Sequence, residues 1–231
     1  MDRASQISYL MSIKIKLGNM RMKFLSLKNF LSLFCLLTLH SFALAQSTTN
    51  QTKGIDEDLF WKVINSTIAN EGNPEQQLIS LQLALSKLSV EDVGKYERTF
   101  DYEMRRSYAW NLWGADYVIH GGASDDSFEY FRCWIISKGK TFFEHVLADP
   151  DTIADLVETK PGDVLEFEQF AYIARKVWAQ KTGNKSNTMP GAAPMMYIGQ
   201  KPIGVEFDDR PAALAKKYPK LWKRFGEHPL E

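Results

Sequence analysis

Cysteine is nearly absent from this chain of 231 residues, which carries Cys35 and Cys133 and no other. Once the N-terminal leader described below is cleaved, Cys133 is left alone, no intrachain disulfide can form, and the fold must be held by packing. Cys133 lies between Arg132 and Trp134 in an apolar run. Burial there raises a thiol's pKa and leaves little thiolate, so an inert thiol is expected. The spacings that announce common chemistries are also missing: a His-Glu-x-x-His zinc pattern, a paired-cysteine site, a phosphate loop and a dinucleotide glycine motif do not occur. No cofactor and no metal is therefore expected. No internal repeat and no alternating strand pattern of useful length is present.

Long apolar runs are lacking too, apart from one near the start. From Met20 or Met22, "MRMKFLSLKN" supplies a basic leader, "FLSLFCLLTLHSFA" a short apolar core and Ala43-Leu44-Ala45 a small-x-small cleavage site. These are the three parts of an export signal. The run falls short of the roughly 20 residues of a membrane-spanning helix, and the polar "QSTTNQTKG" after it gives no stop-transfer pattern. Residues 1–45 are read as an upstream extension plus a cleaved secretory signal peptide, and 46–54 as a polar linker. The mature chain is expected to be periplasmic or extracellular and not to span a membrane; an uncleaved anchor is the alternative. A lipoprotein signal at Cys35 is disfavoured by the bulky Phe34 before it.

An excess of positive charge is likewise absent. The whole chain balances 28 basic against 28 acidic residues, and leaving out residues 1–45 removes six basic residues and one acid, so 22 cations face 27 anions, a net of about −5. Such a field repels a polyanion, so a nucleic-acid partner is not expected.

What the sequence does hold is helical periodicity. "IDEDLFWKVINSTIAN" has acids at its start and a stripe of Leu59, Phe60, Val63, Ile64 and Ile68. "NPEQQLISLQLALSKL" pairs an Asn73 cap and Pro74 with Leu78, Leu81, Leu85 and Leu88. Ser89 and Asp92 resemble a capping box before Val93, Tyr96, Phe100 and Met104. Trp110 to His120 is expected to be a helix stopped by Gly121-Gly122, and Ser124 to cap the next, whose Phe128, Phe131 and Ile135 stripe is flanked by Tyr130, Trp134 and Ile136. A helix apolar on nearly every side belongs at the centre of its domain. "KTFFEHVLADP", "DTIADLVE" and "LEFEQFAYIARKVWAQKTG" are further helices, the last leaving at Gly183. From Asn184 to Phe207 the chain is rich in Met, Pro and Gly, a long wrapping loop, and "ALAKKYPKLWKRF" closes as a helical segment interrupted at Pro219. The expected class is all-α: one compact multi-helix domain over 55–183, with 184–231 a loop and C-terminal helical tail packing on it.

Candidate chemistry centres on the Gly-Gly turn, because residues three, four or seven apart share a helix face. Asp125, Glu129 and Arg132 fall on one side of the central helix, with Asp126 beside Glu129. His120 and Asp116, four apart on the preceding helix, are placed to converge on them across the turn. Such a group suits a small polar ligand or a protein partner, with Trp113, Asp116, Ser124, Asp125 and Arg132 as binding residues. The alternative is a small hydrolase-like enzyme in which His120 acts with Asp125, Asp126 and Glu129, the catalytic candidates being His120, Asp126 and Glu129. Every part also has a structural reading: first-turn acids, an i,i+3 ion pair, a His in a last helical turn, a capping serine. The rings of Tyr108, Trp110, Trp113 and Tyr117 suit stacking on a ligand or simple core packing. His145 and His228 stand alone, and the Met-rich "TMPGAAPMMY" is an adaptable surface or a groove filler.

With those residues in view, the chain resembles an uncharacterised bacterial family, number 4240 in the series of domains of unknown function. The likeness runs from about Asp56 to Lys181. It is carried by "FW", by "WNLWGADYVIHGGASDDSFEYFRCWIISKGKTFFEHVLADPD" and by "EFEQFAYIARKVWAQKTG", with "PKLWKRF" similar to the usual ending. The resemblance implies a compact helical domain and brings no assigned activity. An export signal departs from the similar proteins, many of which look cytoplasmic.

Overall fold

Local capping explains where four of the ten α-helices described in this computed structural model begin. It describes residues 54–160, 162–192 and 200–230, so the stretch expected to be a leader with its cleavage site, and part of the Met-rich stretch, lie outside the described residues. Asp56 accepts from the Leu59 amide and opens α1 (Glu57–Asn65), and Asn73 accepts from Gln76 ahead of Pro74 and opens α2 (Pro74–Ser86). Ser89 does the same for α3 (Val90–Arg106) through the Asp92 amide, 3.1 Å away. Each cap satisfies a backbone donor that the first helical turn leaves unbonded. α4 (Trp110–His120) ends on Gly121 at φ +69°, and α5 (Asp125–Ser137) starts at Ser124. α6 (Lys140–Ala148), a 3-10 turn at Pro150–Thr152 and α7 (Ile153–Leu156) follow. α8 (Ile173–Thr182), α9 (Pro211–Lys217) and α10 (Pro219–Phe225) complete ten α-helices, and the described residues contain no strand. The all-α class is as expected from periodicity.

α5 occupies the centre. From Phe128 to Ser137 every residue except Tyr130 is buried, which the apolar character of nearly all its faces foretold. α3 lays Val93, Tyr96, Phe100 and Met104 inward and runs along α8, which also packs on α2. Gln77 on α2 reaches the C-terminal end of α5, its Nε2 donating to the Ser137 carbonyl at 2.9 Å. Burial of each large side chain, such as Phe60, Phe100, Phe131 or Phe170, stabilises the fold by about 1.5–3 kcal/mol relative to leaving it in water.

One expected helix starts later than its periodicity suggests. Leu165 to Phe167 lie outside any helix, and the chain turns through a 3-10 segment at Glu168–Tyr172 before α8 begins at Ile173. Two long-range hydrogen bonds hold it open: the Phe167 amide donates to the Tyr130 carbonyl at 3.0 Å and the Leu165 amide to His120 Nε2 at 3.3 Å. Leu165 and Phe167 are buried with the half-buried Glu166 between them, a period of two that the heavier weight given to Phe167, Phe170 and Ile173 obscured.

The tail closes over α4. Ile203 exchanges backbone hydrogen bonds with Tyr108 and Trp110 at 2.8 and 3.0 Å, the parallel bridge to Ala109. Tyr218, Leu221 and Phe225 are buried, and the Tyr218 hydroxyl donates to the Asn111 carbonyl at 2.8 Å. Gly114 makes that approach possible, because a Cβ built there would lie 2.4 Å from the Tyr218 hydroxyl and 2.9 Å from Phe207. The buried Asp151 carboxylate accepts from the amides of Lys220 (3.1 Å) and Leu221 (2.9 Å), fixing the start of α10.

Candidate functional site

Ser124 is fully occupied by architecture. Its hydroxyl accepts from the Ser127 amide at 3.1 Å while Ser127 Oγ accepts from the Ser124 amide at 2.8 Å, a reciprocal cap in which serine fills the place glutamate more often takes. No base approaches this hydroxyl; its other contact is Ser127 Oγ at 3.1 Å.

The i,i+4 spacing of Asp116 and His120 does form a pair. Nδ1 of His120 lies 2.7 Å from Asp116 Oδ1, and the carboxylate is entirely buried. Since Nε2 accepts the Leu165 amide, Nδ1 is the nitrogen that donates to the carboxylate. Both ring nitrogens are committed, and Phe131 stands edge-on to the ring at 6.0 Å. Burial pushes Asp116 up to about 6, opposed by the hydrogen bond from His120. Among the described residues, its Oδ2 has no hydrogen-bond partner.

Glu129 and Arg132 turn inward rather than to a surface cleft. Arg132 is 1% exposed; its Nε donates to the Phe128 carbonyl at 3.3 Å and a terminal nitrogen to the Met104 carbonyl at 2.7 Å. The guanidinium lies 4.8 Å from the Phe128 ring centre and 5.0 Å from that of Tyr108. Stacking continues outward: Phe128 on Trp113 at 4.9 Å, and Trp113 on Trp110 at 5.2 Å, with the Trp113 Nε1 donating to the Ala123 carbonyl. Burial raises Glu129 to about 7, partly offset by the charge of Arg132. Asp125 and Asp126 remain exposed on the first turn of α5, Asp125 near enough to Tyr108 to raise its phenol pKa after burial has done so.

The expected constellation thus divides into three groups. His120 meets Asp116, Leu165 and Phe131, and its charged neighbour is Glu166, not Asp125, Asp126 or Glu129. Glu129 and Arg132 share an interior with Arg175 of α8 and with Glu168. Ser124, Asp125 and Asp126 form the outer rim, with Asp125 beside the half-buried Tyr108 and Ser124 following Ala123, whose carbonyl accepts from the half-buried Trp113.

Two groups escaped the sequence reading. On α3, buried Glu97 pairs with Arg175, and buried Glu103 accepts from Arg106 at 2.7 Å while Arg106 also forks onto Glu144 at 3.0 Å. Burial pushes both α3 carboxyls to about 7, and each keeps one oxygen without a hydrogen bond. The signal was an acid within the apolar stripe, Glu97 standing four after Val93 and three before Phe100. The second group lies where the chain's end meets the loop after α7: Thr159, Lys160, Arg224 and His228 line an open cleft of about 410 Å³. Among the described residues, no group of three His, Cys, Asp or Glu is arranged to hold a metal ion. None of their helices is long and apolar enough to cross a membrane.

A family model described as "Protein of unknown function (DUF4240)" matches residues 55–180. No curated protein and no solved structure matches the chain.

Proposed function

From the premise that this chain belongs to the DUF4240 family of unknown function, we propose that it is an exported binding module whose contact surface is the rim at the start of α5. One observation carries this reading: both nitrogens of His120 are hydrogen-bonded within the protein and Ser124 is spent as a cap. A general base needs a free lone pair within reach of the proton it takes, and Nε2 gives up the Leu165 amide if it accepts one. What faces solvent is a different inventory, the exposed Asp125 beside the half-buried ring of Tyr108, with the exposed Asp126 next to it on the first turn of α5. Carboxylates next to aromatic faces suit a cationic group, which gains from both charge and the ring quadrupole. The ligand class is therefore a small cation or a basic segment of a protein partner.

A tetra-arginine peptide tests the reading, titrated against the protein with tryptophan fluorescence as readout. Saturable quenching that disappears in the Asp125→Asn/Asp126→Asn double variant supports it; equal quenching in both proteins, or none, rejects it. Loss of two helix-start charges costs about 0.3–1 kcal/mol each, so the variant stays folded for the comparison. Were the protein a hydrolase instead, His120→Gln would abolish turnover of a model ester with the helical signal intact. Export is tested separately by joining residues 1–45 to a phosphatase that is active only outside the cytoplasm. Activity of that fusion supports a signal peptide, and its inactivity rejects one.

A further inference from the structure

The cleft near the C-terminal end of the chain is electrostatically unlike the rest of the described residues, among which acids outnumber bases. Lys160, Arg224 and His228 line its roughly 410 Å³, and among the described residues none that lines it is acidic. Its floor is apolar, with Phe225 and Leu230 both largely buried. A volume of this order suits a small organic ligand. Arg224 is the fixed element: one terminal nitrogen donates to the carbonyls of Ala154 (2.7 Å) and Val157 and the other to Thr159 Oγ1 (2.9 Å), while the guanidinium lies 4.9 Å from the Phe225 ring centre. These acceptors are all neutral, so the positive charge is held in place without being cancelled. Three of the five guanidinium donors are used, which leaves two for a ligand. Lys160 and His228 are exposed at the mouth, and their side chains make no hydrogen bond or ion pair among the described residues. Asp163 accepts the Lys160 backbone amide at 2.6 Å, Asp155 pairs with Lys220, and Glu227 lines the adjoining hollow of about 260 Å³ that shares Arg224 and His228.

We propose that this cleft binds a small organic anion, a carboxylate or phosphate monoester whose charged end meets Arg224, Lys160 and His228 and whose apolar part rests against Phe225 and Leu230. An oriented guanidinium recognises such oxyanions bidentately, and a mobile lysine at the rim adds charge without demanding geometry. The site is separate from the acidic rim of α5 and would take ligands of opposite sign.

Calorimetric titration of the full chain with phenyl phosphate, benzoate, inorganic phosphate and benzyl alcohol tests the proposal. Phenyl phosphate or benzoate is expected to bind with a Kd of about 1 mM or tighter, more tightly than inorganic phosphate, and benzyl alcohol is expected not to bind. The exposed pair is changed in a Lys160→Gln/His228→Gln variant, for which affinity is expected to fall by about tenfold or more. The Asp125→Asn/Asp126→Asn variant is expected to bind these anions as the unmodified chain does, which keeps this result independent of the α5 reading. The proposal is overturned by absence of saturable heat with both aromatic anions, by equal affinity in the Lys160→Gln/His228→Gln variant, or by equal binding of the neutral alcohol. Tighter binding of inorganic phosphate than of phenyl phosphate would overturn the apolar half of the assignment.

Discussion

Glu129 shows how a single buried carboxyl sets pH dependence. It is 6% exposed, and burial raises it from 4.5 to about 7. A raised carboxyl pKa means that the folded state holds a proton the unfolded state has released, so stability falls as pH rises from about 4.5 to about 7 and is level on either side. The difference amounts to about 3 kcal/mol. Glu129→Gln is therefore expected to gain stability over the unmodified protein progressively across that window, by up to this amount, in thermal melts taken at half-unit pH steps. No change in the difference between the two proteins with pH would refute the assignment. At Cys133 the expectation from its apolar run agrees with the structure: the thiol is fully buried, 3.9 Å from Met104 Sδ, and burial drives its pKa up. Iodoacetamide is accordingly expected to leave native protein unlabelled and to label it fully once urea has unfolded it.

Between α4 and α5 the connection is legible residue by residue, because every interaction that builds it is local. Gly121 takes the left-handed conformation that ends one helix, and Ser124 caps the next, three residues on. Ser124→Ala is expected to cost about 1 kcal/mol in urea denaturation, with no effect beyond stability, since the hydroxyl touches only Ser127. The docking of α4 against the tail was not legible, because nothing in "WNLWGADY" tells which residue meets a tyrosine 107 positions away. Gly114→Ala places a methyl where the Tyr218 hydroxyl and Phe207 already sit. It is expected to destabilise by about 1–3 kcal/mol, as overpacking does. A smaller loss in a Gly114→Ala/Tyr218→Phe double variant than in Gly114→Ala alone would identify the hydroxyl as the obstacle. The late start of α8 has the same origin: Phe167 answers to the Tyr130 carbonyl, and a one-residue alternation too short to outweigh a helical stripe was its only local sign.

For the molecule as a whole, the family match ends at residue 180 while the packed unit continues to the end of the described residues. Leu214, Tyr218, Leu221 and Phe225 are buried by the tail, and the Leu230 amide donates to the Ile119 carbonyl at 2.8 Å. Four such side chains at about 1.5–3 kcal/mol each sum to about 6–12 kcal/mol, comparable with the whole stability of a typical domain, about 5–15 kcal/mol. A chain ending at Arg210 is expected to lose its cooperative urea transition; an unchanged midpoint would mean that the tail is an accessory rather than part of the core.

Sequence by itself determined the class and the punctuation: helical stripes, caps at Asn73, Ser89 and Ser124, the stop at Gly121, and the i,i+4 spacing of Asp116 with His120. All of these arise from contacts within a turn or two of helix, where spacing alone dictates which groups can touch. Only the tertiary structure decided what the polar groups do, because their partners come from distant chain. Leu165 arrives to occupy His120, Arg175 crosses 78 positions to meet Glu97, and the carbonyls after α7 fix Arg224 from about 70 positions away. Whether a charged side chain is a ligand-facing group or a satisfied structural one depends on those arrivals, and packing of the apolar surfaces alone brings them about.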